Sequence, residues 1–184
     1  AAMVNIEGSV FDDNGDEGAD GFSDFQVINA SLGATIAVRH STFAANDATN
    51  TVFNIDPALG SSMSLLSSIV WDASSGNVFN GASGTLLLDC LVAHESTSFS
   101  GSNVVVDNPS FYDIFSGNVH LAPSSPAIDL CQGIPMNHPL DMDHEPRGWD
   151  DPENFNGAGV FDAGADESYI NDVIFENGFE PIAP

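Results

Sequence analysis

The chain has 184 residues, 42% of them hydrophobic, so it is long enough and apolar enough to fold as one domain with a sizeable core. Two basic residues stand against 27 acidic ones, which gives a formal net charge of −25. This charge repels phosphate backbones and anionic lipid, so we expect neither nucleic acid nor a membrane surface as a partner, and cations are the natural ones. No apolar run approaches the ~20 residues of a membrane-spanning helix, so we expect no membrane insertion.

Short β-branched and apolar runs recur along the chain, separated by Asn, Asp, Gly and Ser. The five runs are Val4–Phe11, Thr35–Phe43, Ser64–Trp71, Thr85–Val92 and Asn103–Val106. Aligning Ile6, Val38, Leu66, Leu88 and Val106 gives intervals of 32, 28, 22 and 18 residues, a shrinking repeat that is typical of a solenoid of parallel strands. No stretch has sustained helical periodicity, so we expect little helix. The alternative all-β fold is an antiparallel β-sandwich, which also uses short strands and glycine-rich turns.

The first acidic loop follows the first run. Asp12, Asn14, Asp16 and Asp20 supply oxygen ligands at positions 1, 3, 5 and 9 of this loop. Calcium takes six to eight hard oxygens from a flexible turn, so these four residues are a candidate Ca²⁺ site. The loop is not an EF-hand, because Glu17 occupies its sixth position. The alternative is a solvated acidic turn between strands.

Five motifs follow in the last part of the chain: NPSFYD at 108–113, GNVHL at 117–121, SPAID at 125–129, DMDHEPR at 141–147 and VFDAGADE at 160–167. They resemble the NPxF, GxxHL, SPAID, DxDGxPR and DxGAxE patterns of the C-terminal segment of bacterial secreted right-handed parallel β-helix proteins, the choice-of-anchor Q type. The resemblance covers about a third of the chain. His144 departs from it, because the family usually has glycine there, and this leaves the type of turn open.

The resemblance implies a pectate-lyase-like, right-handed parallel β-helix with a loop-rich C-terminal cap, and a secreted, extracellular or cell-surface location in a bacterium. We therefore expect β-helix coils over residues 1–136, an acidic cap over residues 137–167 and a tail over residues 168–184. The tail resembles the IFxxGFE-type C-terminus of many proteobacterial secreted proteins. Because a strand begins at Val4 with no N-terminal cap before it, we expect the chain to be the C-terminal part of a longer parent protein.

The chain has two cysteines, Cys90 and Cys131, which are too far apart in sequence for a CxxC redox pair. In an exported protein, as the resemblance implies, a disulfide between them is the simplest expectation. The alternative is two buried free thiols.

A second acidic cluster surrounds Arg147 in the predicted cap. We expect Arg147 to be an ion-pair hub that bridges carboxylates such as Asp141, Asp143 or Asp162. The alternative is a second, weaker Ca²⁺ candidate, since carboxylates concentrated without counter-charge attract a hard cation. Its ligands would be Asp141, Asp143, Asp162 and Asp166.

Catalytic motifs are absent from the sequence, so we assign no catalytic residues. The chain has no lysine, no HExxH and no GxSxG, and the adjacent Arg39 and His40 are the best lyase-like pair. We therefore predict a non-catalytic β-helix domain that acts as a structural, adhesin-like or carbohydrate-facing scaffold, stabilised by calcium, with a polysaccharide or cell-surface glycan as its partner. The alternative is the C-terminal fragment of a polysaccharide lyase or glycoside hydrolase whose active site lies in missing N-terminal coils.

Overall fold

A computed structural model describes residues 2–14, 27–46, 51–56, 60–72, 77–80, 86–95, 101–133, 136–150, 152 and 158–169. These residues form an all-β structure in which most strands pair in parallel. They contain no α-helix, and the one helical element among them is a three-residue 3₁₀ helix, Ile114–Ser116. No helix in the described part of the chain is long and apolar enough to cross a membrane.

The largest sheet has seven parallel strands. They are β1 (Met3–Glu7), β2 (Val10–Asp12), β4 (Thr35–Arg39), β5 (Thr42–Ala44), β7 (Ser62–Trp71), β9 (Leu86–Ala93) and β10 (Gly101–Val106). A smaller parallel sheet is made of β3 (Ile28–Ala30), β6 (Thr51–Ile55) and β8 (Asn77–Asn80). From β1 to β9 the chain therefore alternates between the two sheets. The antiparallel pairing of a β-sandwich occurs in neither sheet.

The predicted strand runs all coincide with strands of the large sheet. Ile6 pairs with Val38 as aligned from the sequence, whereas Val38 pairs with Leu65 rather than with Leu66. Leu65 is completely buried and Leu66 is partly exposed. Neighbouring side chains of a strand point to opposite faces, so a one-residue error in register exchanges the buried and exposed residues.

The last predicted run is placed differently from the alignment. Leu88 pairs with Gly101, and Val106 lies opposite Ala93 rather than opposite Leu88. No described strand of the smaller sheet lies between β9 and β10, so the repeat is shortest at this point.

Successive strands of the large sheet bend at the same position. Residues 7, 39, 66, 89 and 102 pair with one another across neighbouring strands of this sheet. The residue that follows each of them has a left-handed backbone conformation, with φ between 47° and 58°. These five residues are Gly8, His40, Ser67, Cys90 and Asn103. Side-chain hydrogen bonds follow the same bend, where Ser41 Oγ accepts from the N–H of Ser9 and Ser68 Oγ accepts from the N–H of Ser41. The bend is thus stacked from one strand to the next.

The interior between the two parallel sheets is filled by closely packed aromatic and aliphatic side chains. The ring centroid of Phe43 lies 4.4 Å from that of Phe11 and 4.8 Å from that of Phe53, which lies 5.4 Å from that of Phe79. Phe43 and Phe53 are completely buried. Burying each such side chain contributes about 1.5–3 kcal/mol to folding, so this row of aromatic rings is a major part of the core.

After β10 the chain forms a short antiparallel hairpin of β11 (Phe111–Asp113) and β12 (Asn118–Leu121), and the residues described beyond it form loops. We call residues 122–133, 136–150 and 158–169 the C-terminal loop region. The predicted disulfide is confirmed: Cys90 of β9 is bonded to Cys131 of this region, with the Cα atoms 5.5 Å apart and both residues buried. The disulfide therefore ties the loops to the large sheet.

The predicted divisions at residues 136 and 167 stay predictions. Of the predicted tail, Ser168 and Tyr169 are described, and residues 170–184 lie outside the described residues.

Candidate functional site

Buried carboxylates hold the C-terminal loop region together. Asp141, which is 8% exposed, accepts hydrogen bonds through Oδ1 from the N–H groups of Asp143 at 2.9 Å and Glu145 at 2.8 Å. Its Oδ2 accepts from the N–H of Glu167 at 3.2 Å. Asp141 therefore shapes its own turn and joins it to the last motif of the chain.

Asp162 and Glu167 also accept hydrogen bonds from backbone N–H groups, and these bonds join segments that are farther apart in sequence. Asp162 Oδ1 accepts from the N–H of Asp129, and its Oδ2 accepts from the N–H of Ser168, both at 2.7 Å. Glu167 Oε1 accepts from the N–H groups of Gly148 and Trp149 at 2.7 and 2.8 Å. Three segments far apart in sequence are thus joined by carboxylate-to-backbone hydrogen bonds, which are about twice as strong as those between neutral groups.

Burial changes the acidity of both groups. Burial raises the pKa of Asp162 well above its ordinary value of 3.8, and the nearby negative charge of Glu167 raises that pKa further. Burial also raises the pKa of Glu167 above 4.5, partly offset by its hydrogen bonds from the backbone. The negative charge of Glu167 therefore adds to the cost of ionising Asp162.

Arg147 lies beside these acids, but its hydrogen bonds differ from the predicted carboxylate fork. Its guanidinium donates to the backbone carbonyls of Gly164, at 3.2 Å, and Ala165. Burial lowers the pKa of Arg147, and the charges of Glu167 and Asp141 oppose this change. Arg147 therefore acts on the carboxylates through space while it binds the backbone of the loop directly.

Position 164 of this loop requires glycine, because of its backbone conformation and its close neighbours. Its φ is 112°, and a Cβ added to it would lie 2.9 Å from Ile69 Cδ1 and from Thr42 Oγ1. A side chain here would collide with the large sheet. His144 also has a positive φ, of 70°, at the position where the choice-of-anchor Q proteins that the sequence resembles usually have glycine. The turn is therefore left-handed even with histidine in it.

The structure places the four residues of the weaker Ca²⁺ candidate in two different groups. Asp141 and Asp162 use both carboxylate oxygens to accept backbone N–H groups, whereas Asp143 and Asp166 lie with His120 in a different group. One ligand atom of each of His120, Asp143 and Asp166 lies within 4.8 Å of the other two. His120 Nε2 is 2.7 Å from Asp143 Oδ2, and Asp166 Oδ2 accepts from the N–H of Leu121 at 2.7 Å.

His120 was not predicted as a site residue, although the sequence contained a signal for it. In β12 the buried residues Val119 and Leu121 alternate with Asn118 and His120, so the two polar side chains share the outer face. The alternation was readable from the GNVHL motif. The approach of Asp143 and Asp166 was not, because it depends on long-range folding.

The first Ca²⁺ candidate is described in part. Asp16 and Asp20 lie outside the described residues, while Asn14 donates to Asn46 Oδ1 at 2.9 Å and to the carbonyl of Asp12 at 3.0 Å. Asp12 Oδ1 is a buried atom with no hydrogen-bond partner among the described residues. Burial, and then the charge of Asp13, raise the pKa of Asp12. A cation at this carboxylate would relieve both effects.

A cleft of about 340 Å³ separates the first bend of the large sheet from the C-terminal loop region. It is lined by Glu7, Gly8, His138, Pro139, Leu140, Asp141 and His144. Glu7 Oε1 accepts from the N–H groups of Asn137 and His138, and Oε2 from the Asn137 amide at 2.6 Å. Burial alone would raise the pKa of Glu7, but these hydrogen bonds outweigh it and hold the pKa below 4.5.

The lyase-like pair is not an exposed pair. His40 is completely buried at the bend, whereas Arg39 is partly exposed and its Nε has no hydrogen-bond partner among the described residues. The two side chains therefore lie in different environments.

Comparison of the chain with protein-family models, with curated proteins and with solved structures finds no match.

Proposed function

We propose that the chain is a non-catalytic scaffold domain of a secreted or cell-surface bacterial protein, built as a right-handed parallel β-helix with a C-terminal cap. Support for the β-helix comes from the alternation of the chain between two parallel sheets and from the left-handed bend that recurs at equivalent positions. The resemblance of the last third of the chain to choice-of-anchor Q proteins agrees with this architecture.

One observation carries the non-catalytic role: the buried acids of the C-terminal loop region are used as acceptors for backbone N–H groups. Asp141, Asp162 and Glu167 each accept such bonds through both carboxylate oxygens. A carboxylate occupied in this way holds loops in place, and its oxygens point at the backbone rather than into solvent. A general acid or base must instead reach the reacting group of a substrate.

Export is supported by the disulfide between Cys90 and Cys131, because disulfides form and persist mainly in oxidising compartments. The partner we propose is a polysaccharide or cell-surface glycan. A ladder of three asparagines runs along the smaller sheet: the Asn54 amide donates to Asn29 Oδ1 at 3.2 Å, and the Asn80 amide donates to Asn54 Oδ1 at 3.0 Å. Asn29 and Asn80 are exposed and offer amide groups to sugar hydroxyls.

The test combines turnover with binding. The protein is incubated with polygalacturonate and with alginate, and the release of reducing ends and of ultraviolet-absorbing unsaturated uronates is followed. We expect no release. Release that disappears in Arg39→Ala would contradict the non-catalytic role and favour the lyase alternative. Retention on immobilised glycan should weaken in Asn54→Ala and not in Asn5→Ala, an exposed asparagine on the other sheet.

Calcium stabilisation is part of the proposal and rests on the buried Asp12 Oδ1 and on the net charge of −25. A cation that binds only the folded state raises the melting temperature by mass action. Millimolar Ca²⁺ should therefore raise the melting temperature of EDTA-treated protein, and Asp12→Asn should reduce this effect. Asp150→Asn, which removes an exposed acid elsewhere, is the control. Equal melting with and without Ca²⁺ would contradict the proposal.

A further inference from the structure

His120, Asp143 and Asp166 come from three separate segments of the chain. His120 lies on β12, Asp143 lies in the turn shaped by Asp141, and Asp166 lies in the loop that contacts the large sheet through Gly164. Their ligand atoms nevertheless lie within 4.8 Å of one another. Asp166 is 1% exposed, His120 is partly exposed and Asp143 is exposed, so the group opens to solvent on one side.

The orientation of the His120 ring points to a cation. Asn118 Oδ1 accepts from the His120 backbone N–H at 3.2 Å and lies 2.6 Å from His120 Nδ1. An amide oxygen has no proton to donate, so Nδ1 must carry the proton of this hydrogen bond. In a neutral imidazole this leaves the lone pair on Nε2. Nε2 faces Asp143 Oδ2 at 2.7 Å. Two acceptors this close repel each other unless a positive species joins them: a second imidazole proton at this distance, or a metal ion once the two atoms have moved slightly apart.

This arrangement is the one that metal-binding histidines adopt. A ligating histidine almost always donates its other ring N–H to an oxygen acceptor, which fixes the tautomer and the ring orientation. Asn118 supplies that acceptor here. The backbone N–H of Leu121 fixes the carboxylate of Asp166 in the same way, at 2.7 Å. Two of the three side chains are therefore held in place before any ion arrives.

We propose that His120, Asp143 and Asp166 bind a divalent first-row transition-metal ion, with Zn²⁺ as the representative. Imidazole nitrogen is a ligand for Zn²⁺, Cu²⁺, Fe²⁺ and Ni²⁺, whereas Ca²⁺ takes oxygen ligands only. Two carboxylates with one imidazole make a neutral site with a divalent cation. Three protein ligands leave a fourth tetrahedral position for water on the open side.

The geometry requires a small adjustment. Zn²⁺ binds nitrogen and carboxylate oxygen at about 2.0–2.2 Å, which places tetrahedral ligand atoms roughly 3.3–3.6 Å apart. The contact between His120 Nε2 and Asp143 Oδ2 would widen from 2.7 Å, and the distances from Asp166 to the other two, which are both below 4.8 Å, would have to reach the same range. Asp143 is the exposed member of the group, so its side chain supplies most of the movement.

The test uses the full chain after removal of metals with EDTA and gel filtration. Isothermal titration with ZnCl₂ should give one site per chain, and Co²⁺ should give the visible absorption of a tetrahedral complex. Both signals should vanish in His120→Ala, and Asn118→Ala should weaken Zn²⁺ binding about 10–100-fold through loss of the fixed ring orientation. Asp150→Asn, an exposed acid of the same loop region, should bind as the parent does. Ca²⁺ at millimolar concentration should not displace Co²⁺.

The inference is wrong if the metal-free protein binds no Zn²⁺, in which case His120 and Asp143 form a plain ion pair with protonated imidazole. It is also wrong if Zn²⁺ binds equally to His120→Ala, because the ion then lies elsewhere. The near-ultraviolet circular dichroism of each variant shows whether it has folded; where His120→Ala does not fold, Asp143→Asn, at the exposed ligand, decides the question. None of these outcomes depends on glycan binding or turnover, so this inference and the proposed function fail separately.

Discussion

The carboxylate of Asp162 lies 2.7 Å from the backbone N–H of Asp129, although 33 positions of sequence separate the two residues. Its other oxygen lies at the same distance from the N–H of Ser168. The described segment of residues 158–169 is thereby attached to the SPAID turn through one side chain, which is 1% exposed.

This arrangement predicts the effect of Asp162→Asn. An amide can accept through only one of its two terminal atoms, so the substitution turns one N–H···O bond into a contact between two donors. Leaving a buried N–H unsatisfied costs about 1–3 kcal/mol, and we expect the free energy of unfolding to fall by that amount. Urea unfolding measures it. Asp150→Asn, on the surface of the same region, should change stability by less than about 0.5 kcal/mol, and an equal loss in both variants would contradict the prediction.

The raised pKa values of Asp162 and Glu167 predict a pH dependence. A carboxyl group whose pKa is higher in the folded state binds its proton more tightly there, so its contribution is complete below the unfolded pKa and is lost as the pH rises through the folded one. Stability should therefore increase as the pH is lowered through the folded pKa values of these two groups towards their ordinary values of 3.8 and 4.5. Glu7 has the opposite sign: its lowered pKa stabilises the protein above about 4.5, and this is lost as the pH falls through the folded value.

Melting temperatures measured from pH 3 to pH 9 test this dependence. We expect a maximum in stability, with a decrease on its alkaline side as Asp162 and Glu167 ionise and a decrease on its acid side as Glu7 is protonated. Glu167→Gln removes one of the raised groups and should flatten the decrease above the maximum, whereas Asp150→Asn should leave its slope unchanged. A melting temperature that rises steadily from pH 5 to pH 8 would mean that both acids are ionised in the folded protein without cost.

The strands were predictable because they depend on local composition. Runs rich in Val, Ile and Leu mark each strand of the large sheet, but adjacent leucines at 65 and 66 look alike in sequence, so the register was missed by one residue there. The carboxylate network was not predictable in detail. The acids of residues 141–167 were recognised as a cluster, but which of them accept N–H groups depends on segments that meet only after folding.

The left-handed conformation of His144 predicts that His144→Gly stabilises the protein. A residue with a Cβ loses roughly 1–2 kcal/mol in this conformation, and glycine avoids this loss while it adds about 0.5–1 kcal/mol of unfolded-state entropy. The net gain should be about 0.5–1 kcal/mol in urea unfolding. His144→Ala keeps the Cβ and should give no gain, so equal stabilisation by both substitutions would assign the effect to loss of the imidazole.

The disulfide between Cys90 and Cys131 leads to one prediction for the intact mass of the protein and one for its free energy of unfolding. Without reductant, the intact mass should be two daltons below that of the dithiol form. Because the bond closes a loop of 41 positions, the loop-entropy relation assigns it ~4 kcal/mol. Replacing both Cys90 and Cys131 with serine should reduce the free energy of unfolding by about this amount. Thiols that react with a labelling reagent in the native protein would contradict the prediction.

Arg147 and Arg39 are the two basic residues of the chain, and their substitution should have different effects. Arg147→Ala removes the hydrogen bonds to Gly164 and Ala165 and the positive charge beside Glu167 and Asp141. Hydrogen bonds of charged groups contribute about 1.5–3 kcal/mol, so we expect a loss of about 2–3 kcal/mol. Arg147→Lys should recover part of this, because an ammonium restores the charge but lacks the planar fork that reaches two carbonyls.

Arg39→Ala is the matched control, since it removes the same side chain from a strand where its Nε has no hydrogen-bond partner among the described residues. It should cost less than Arg147→Ala in the same urea unfolding experiment. The comparison is informative because both variants change the net charge by one unit, so any effect of overall self-repulsion is common to them. Two equally small losses would mean that the loop between Asp141 and Glu167 is solvated and does not depend on Arg147 for its structure.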